Sequence, residues 1–165
     1  MINAADFINT VHSETIDTAR IPIPPGEYVG QIGTDDKALD LQQGNAGPNA
    51  KNPGAPWARL DVLITIPDPS GAIMAKTGRN PVITRHGVMI DLDSAGKPDF
   101  SQGKNIGLGR LFKAVGWPVT DKGQITSGWS FAFLKGKGVK VKIEHEPNPN
   151  DPLVPYERIA AITQA

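Results

Sequence analysis

The chain has 165 residues, a length that suits one domain with a single hydrophobic core. Its 15 prolines and 18 glycines exclude a helical bundle and favour short strands, while the absence of cysteine excludes disulfides, thiolate metal sites and a cysteine nucleophile. The formal net charge is zero, whereas most nucleic-acid binders carry a surplus of basic side chains.

The N-terminal sequence predicts that residues 1–21 form a polar arm, with a short helix around Asp6 to Val11. This segment lacks the basic and apolar regions of a secretory leader, and no apolar run in the chain approaches 18 residues. We therefore expect a soluble cytoplasmic protein without membrane contact. Residues 22–165 are predicted to form one domain.

Alternating apolar residues predict the first strands of that domain. Strand signals occur at GEYVGQIGT (residues 26–34), ARLDVLITIP (58–67) and NPVITRHGVMIDLD (80–93). The second of these strands places Leu60, Val62 and Ile64 on one face, and the third does the same for Val88, Ile90 and Leu92. Between the first two strands, QQGNAGPNAKNPGAP (42–56) is predicted to be a long mobile loop.

The second half of the domain begins with one helical stripe. Its members fall at helical spacing over residues 108–115: Leu108, Leu111, Phe112 and Val115. Gly116 is placed to end the helix. Strands follow at 138–146, where Val139, Val141 and Ile143 face inward, and at 155–164. A sixth strand is considered at 128–134.

This order of elements predicts the fold class. Five principal strands with one helix between the third and the fourth are typical of the OB-fold, a five-stranded Greek-key barrel. A sandwich would show seven or more short strands at closer spacing. OB-folds bind oligonucleotides or oligosaccharides on the face of their second and third strands and on adjacent loops.

The sequence carries no local signature of catalysis. His12, His86 and His145 stand in unrelated contexts. Asp91 and Asp93 could place two carboxylates on one strand face to hold Mg²⁺, but such a pair at a strand end is more often solvated. We predict no enzymatic activity, no cofactor and no metal site, with a metal-dependent nucleic-acid enzyme as a minor alternative.

Charge is distributed unevenly along the chain. Residues 1–75 carry a net charge of −5, residues 76–142 carry +8 and residues 143–165 carry −3. A basic middle of this kind can create a one-sided basic surface, although a fold can also scatter the charges evenly. The distribution makes a nucleic-acid partner compatible with zero net charge.

Single-strand binding requires cations that follow the phosphates and flat side chains on which bases stack. Trp57 ends a Gly/Pro/Asn loop and is either a stacking residue or a core anchor. Trp129 alternates with Phe131 and Phe133, so these rings either cap the core or form a stacking platform. The predicted nucleic-acid-binding residues are Trp57, Arg59, Lys76, Arg79, Arg85, Trp129, Lys135, Lys137, Lys140 and Lys142.

Several strings together resemble a known group of proteins: GEYVGQI, LDVLITI, LGRLFKAVGW, LKGKGVKVKIEHE and YERIAAI. They are similar to bacteriophage replication-module proteins, namely OB-fold single-stranded DNA-binding proteins and their uncharacterised relatives. The resemblance implies sequence-tolerant binding that protects single strands during phage replication or recombination, in the host cytoplasm. It also makes a second copy of this chain and other phage replication or recombination proteins candidate partners.

One feature departs from that group, because the loop EPNPNDPLVP carries acids and prolines where a DNA-gripping loop would be basic. An alternative function remains open beside DNA binding. A structural or assembly β-barrel module of a virion, without nucleic-acid binding, would explain the neutral charge and the Pro/Gly-rich loops equally well.

Overall fold

The computed structural model describes residues 3–13 and 20–165 of the chain. In this part, the strands are β1 Gly26–Ile32, β2 Leu39–Asn45, β3 Pro56–Thr65, β4 Ile83–Ile90, β5 Gly138–Glu146 and β6 Tyr156–Gln164. The α-helices are α1 Ala4–Asn9, α2 Ala72–Thr77 and α3 Ile106–Ala114. Short 3-10 helices cover Asp36–Ala38 and Phe131–Leu134.

The strands form one six-stranded sheet whose pairs are all antiparallel. β4 pairs along one edge of β3, and the other edge of β3 is shared by β2 and the last two residues of β1. β1 continues the sheet to β5, and β5 continues it to β6. β1 and β2 therefore follow one another along the sheet as two halves of an interrupted strand, separated by residues 33–38.

The sheet is not closed into a barrel. β4 pairs only with β3 and β6 pairs only with β5, so no backbone ladder joins β4 to β6. One side-chain hydrogen bond connects the two strands: the Thr84 hydroxyl donates to Oε1 of Glu157 at 3.4 Å. The prediction of a β-rich antiparallel domain is confirmed, whereas the predicted closure of the sheet is absent.

The predicted alternation of the strands is confirmed by burial. The inward residues of three strands are at most 7 % exposed: Val62, Ile64, Val88, Ile90, Val141 and Ile143. Burying such side chains contributes about 1.5–3 kcal/mol each, so these strands supply most of the core. Their alternate residues point to the outer side of the sheet, which is the side that can meet a ligand.

Helix α3 covers the core at one end, and its predicted apolar stripe is confirmed. Leu108, Leu111, Phe112 and Val115 are all buried. Gly116 follows the helix with φ at 82°, a left-handed conformation that favours glycine, and its N–H donates to the Lys113 carbonyl at 3.1 Å. The helix therefore ends where the sequence predicts.

Two predicted segments differ from the structure. Residues 42–45, predicted as mobile loop, belong to β2, because their backbone pairs with residues 56–59 of β3. The sixth strand considered at 128–134 is wrong, since Phe131–Leu134 form a 3-10 helix. The sixth strand is β2 instead.

The N-terminal segment contains α1, in agreement with the short helix that the sequence predicts. The Asn3 side chain caps this helix by accepting from the N–H groups of Ala5 and Asp6. The remainder of the predicted arm, residues 1–2 and 14–19, lies outside the described residues. Within the described ranges, no helix is both long and apolar enough to cross a membrane.

Candidate nucleic-acid interface

The strand register brings three of the predicted residues to one surface. Gly44 lies opposite Trp57, Gln42 opposite Arg59, and Leu63 opposite Arg85. Directly opposed residues of antiparallel strands share a face of the sheet, and this face is the outer one, away from Leu60, Val62 and Ile64. We call this surface of β2, β3 and β4 the outer face.

Trp57 lies over Gly44 on this outer face. A Cβ atom added to Gly44 would lie 3.2 Å from Cζ2 of the indole, and 3.3 Å from both Cε2 and Nε1. These similar distances show that the plane of the ring, rather than its edge, covers the glycine. Trp57 is half-buried and lies outside the core cluster, so it is not the core anchor that the sequence left open.

Asp61 binds the arginine side chains of the outer face. Its side chain is 3 % exposed; Oδ1 lies 2.9 Å from Nε of Arg59, and Oδ2 accepts from Nη2 of Arg59 at 3.0 Å. Nη1 of Arg85, from the neighbouring strand, lies 3.6 Å from the same Oδ2. An unpaired carboxylate here would repel a phosphate chain, but both guanidinium groups offset the charge of Asp61.

The rest of the outer face carries one exposed carboxylate beside small and apolar residues. Asp40 lies opposite Asp61, and its Oδ2 accepts from Nε2 of Gln42 at 3.3 Å. Gly87 lies opposite Asp61, and Met89, which is 58 % exposed, lies opposite Arg59. Leu63 is half-buried at the other end of β3. The surface therefore combines an indole, two cations, the exposed carboxylate of Asp40 and apolar side chains.

Lys76 and Arg79 differ in how accessible their charged groups are to a ligand. Lys76 is exposed on α2. Arg79 is only 11 % exposed and pairs with Glu157 at 2.9 Å, while its Nη2 donates to the Ile21 carbonyl at 3.0 Å. Arg79 therefore joins the segment before β1 to β6, and its guanidinium is engaged in the structure of the domain.

A second group of predicted residues lies around α3. Trp129 packs on the buried Phe112, with ring centroids 5.1 Å apart, and meets the exposed Phe100 edge-on at 5.3 Å. Phe131 also packs against both Trp129 and Phe112. Between the two roles left open by the sequence, this cluster covers the core, although Trp129 remains half-buried.

The lysines near Phe131–Leu134 have local partners. Lys135 pairs with Asp36 at 2.8 Å, and this hydrogen bond and charge hold the pKa of the Asp36 carboxyl below its usual range. The Nζ of Lys137 lies 4.1 Å from the centre of the Phe133 ring. These lysines are therefore tied to side chains of the domain itself.

The lysines of β5 lie on the outer side of the sheet, separated from β3 by β1. Lys140 is exposed and lies opposite Val29 of β1 and Thr163 of β6. Lys142 pairs with Glu144 at 2.7 Å, a contact that raises the pKa of the lysine and lowers that of the carboxyl. The structure thus does not gather all ten predicted residues into one patch.

A polar groove of about 400 Å³ separates β4 from β6 beside the outer face. Its lining includes Arg85, His86, Gly87 and Arg158. His86 projects from the inner side of β4 and burial lowers the pKa of its imidazole. Arg85 contributes both to this groove and to the outer face.

The carboxylates weighed for metal binding have structural partners. Asp91 accepts from the backbone N–H of Asn105, and Oδ1 of Asp93 accepts from the N–H groups of Ala95 and Lys97 at 2.9 Å each. Among the residues that the structure describes, no group of three or more His, Asp or Glu side chains is arranged to hold a metal ion. These carboxylates stabilise turns in the loop before α3.

Sequence reasoning missed four contributors to the outer face: Asp40, Gln42, Gly44 and Gly87. Asp40 lies between the first two predicted strands, where no face could be assigned. Gln42 and Gly44 lie in the segment predicted as loop, so no face could be assigned to them. Gly87 lies within a predicted strand, and its position opposite Asp61 depends on the register between β3 and β4. Comparison with known proteins adds no assignment, since neither a protein-family model nor a curated protein matches the chain.

Proposed function

We propose that this protein binds single-stranded DNA, with little sequence preference, on the outer face of β2, β3 and β4. The observation that carries the proposal is the indole of Trp57 lying flat over Gly44, beside the cations Arg59 and Arg85. Stacking on an aromatic ring tolerates every base because each base has a π-face, and cations attract the phosphates. These are the two requirements for holding single strands.

The fold we propose is an OB-fold that is open between β4 and β6. Counting β1 and β2 as the two halves of one strand gives five strands, with α3 between the third and the fourth. On this assignment β3 and β4 are the second and third strands, which form the usual ligand face of OB-folds. The same face carries Trp57, Arg59 and Arg85.

The biological role follows from the resemblance to phage single-stranded DNA-binding proteins. We propose that the protein covers single strands during phage replication or recombination and performs no chemical step on them. The host cytoplasm is the expected location, with copies of the chain or other replication and recombination proteins as candidate partners.

The experiment is a titration of the full chain with fluorescent oligo-dT and with a duplex of equal length. We expect preference for the single strand, no requirement for Mg²⁺, and a logarithmic salt slope of about −1.4 or steeper if two or more phosphates are neutralised. Absence of binding to both oligonucleotides would overturn the proposal and favour the virion module. Binding that requires Mg²⁺, with cleavage of the strand, would instead favour a metal-dependent enzyme.

A further inference from the structure

We infer that Arg59 contacts bases through the plane of its guanidinium, that Asp61 positions it for this contact, and that phosphate binding on the outer face falls to Arg85. This inference rests on the proposed single-strand binding and assigns different roles to two cations of that site. It depends on which edges of each guanidinium are already occupied.

The edges of Arg59 are engaged within the protein. Nη2 donates to Oδ2 of Asp61 at 3.0 Å and to Oε1 of Gln42 at 3.2 Å, while Nε lies 2.9 Å from Oδ1 of Asp61 without the alignment of a hydrogen bond. A phosphate binds arginine most strongly through two parallel N–H groups. A guanidinium can donate such a pair from two edges, Nε with Nη2 and Nη1 with Nη2. Nη2 belongs to both edges and is already occupied, so the bidentate phosphate contact is blocked at Arg59.

The plane of Arg59 remains open to a ligand. A Cβ atom added to Gly87 would lie 3.3 Å from Cδ and 3.7 Å from Nε of Arg59, so the side chain lies across this glycine. The Arg59 side chain is nevertheless 40 % exposed. An arginine that lies down on the sheet with its edge engaged presents its flat side outward, and guanidinium planes stack on bases.

Trp57 and Arg59 together form a track of two flat groups. Each side chain reaches a glycine of a neighbouring strand. The Trp57 ring lies over Gly44 of β2, and Cδ and Nε of Arg59 approach Gly87 of β4 beside Oδ1 of Asp61. Two residues along a strand are separated by about 6.6 Å, and both groups face the same side. The track therefore offers stacking surfaces to two neighbouring bases.

The Arg85 side chain is more exposed and less tightly paired than that of Arg59. Its side chain is 61 % exposed, and its contact with Asp61 is a single long pair of 3.6 Å. Little rearrangement is needed for Arg85 to turn its N–H groups to a phosphate. The two arginines of one face are thus suited to different parts of a nucleotide.

The test compares an oligothymidylate with an abasic oligonucleotide of the same length, which keeps the phosphates and lacks the bases. Arg59→Lys keeps the charge and can still pair with Asp61, but removes the plane. We expect it to weaken binding to the thymidylate by roughly threefold to thirtyfold and to leave binding to the abasic strand nearly unchanged. Arg110→Lys makes the same exchange at an exposed arginine of α3, outside the outer face, and is the matched control; it should change both affinities by less than about twofold.

The role of Arg85 is tested by Arg85→Ala, which should weaken binding to both strands and make the salt slope shallower by about 0.7. The positioning role of Asp61 is tested by Asp61→Asn. Releasing Arg59 should lower the ratio of thymidylate to abasic affinity and make the slope steeper by about 0.7, because the freed guanidinium can then follow phosphates. Should Asp61→Asn fail to fold by circular dichroism, Arg59→Lys still decides the inference.

Two failures are distinguishable. If the wild-type protein binds neither strand, the proposed function is wrong. If the wild-type protein binds both strands and Arg59→Lys weakens the two equally, single-strand binding stands and the assignment of Arg59 to bases is overturned.

Discussion

The plane of the Trp57 indole rests on Gly44 of the neighbouring strand, with three ring atoms 3.2–3.3 Å from the position that a Cβ would occupy. The ring lies outside the core, so Trp57→Ala should leave the melting temperature nearly unchanged. Loss of one stacked base, worth about 1–3 kcal/mol, should weaken oligo-dT binding by roughly fivefold to a hundredfold. Fluorescence titration and thermal melting of the same variant measure both quantities.

The matched control for this prediction is Gly44→Ala. The new methyl group would push the ring by a few tenths of an ångström without removing it, so the loss of affinity should be smaller than in Trp57→Ala. The stacking role fails if Trp57→Ala melts many degrees lower while its folded fraction binds normally. A buried tryptophan would behave in this way, because its removal costs about 3–5 kcal/mol.

Glu157 should be important for stability rather than for binding. It accepts from Arg79 at 2.9 Å and from the backbone N–H of Ile23 at 2.8 Å, and it is 17 % exposed. Breaking a largely buried ion pair leaves its partner uncompensated, so Glu157→Ala should cost about 3 kcal/mol in urea unfolding. Glu144→Ala, which removes an exposed pair with Lys142, is the control and should unfold near the wild-type midpoint.

Substitutions of a buried and of an exposed ring in the aromatic cluster around α3 should differ in their effect on stability. Phe112 is 1 % exposed and contacts Trp117, Trp129 and Phe131, so Phe112→Ala should destabilise the domain by about 3–5 kcal/mol. Phe100 is 58 % exposed and touches Trp129 by its edge, so Phe100→Ala should shift the urea midpoint only slightly. Equal effects of the two substitutions would contradict this division.

The stability of the domain should fall as the pH is lowered from 7.5 to 5. Burial lowers the pKa of His86 below its ordinary value of about 6.5, so the unfolded state takes up a proton first. The folded state is therefore fully stable above the pKa of His86 in the unfolded chain, and it loses stability as the pH falls from that pKa towards the lower pKa of the folded state. Thermal melts of the wild type and of His86→Gln should show a flatter dependence in the variant, and identical curves would exclude His86 as the cause.

Much of the fold could be predicted because its signals are local. The alternation of residues 138–146 and the stripe over 108–115 each indicate an element without reference to any other. β2 could not be found in this way, since residues 42–45 are polar or glycine and become a strand by pairing with β3. The alternating aromatics at 129, 131 and 133 suggested a strand, but packing around Phe112 turns Phe131–Leu134 into a 3-10 helix.

The candidate site was less predictable because it depends on register. The alternation that puts Leu60, Val62 and Ile64 on one face leaves Arg59 and Asp61 on the other side of the same strand, and the register with β2 and β4 agrees with this. The position of Arg85 beside Asp61 depends on how β3 aligns with β4, and a shift of one residue would have moved Arg85 to the other face. Arg79 has a basic side chain in a loop, and no local pattern reveals that Glu157, 78 residues further on, engages it.

β2, the strand that supports the Trp57 indole, lies at one end of the sheet path and pairs with β3, whereas β5 is held between β1 and β6. Local opening requires least free energy where a segment has few buried contacts, and most side chains of β2 are exposed. Its amide hydrogens should therefore exchange with deuterium sooner than those of β5. A base stacked on Trp57 would rest on this easily opened strand, so bound oligonucleotide should slow amide exchange in Leu39–Asn45 more than in any strand of the core.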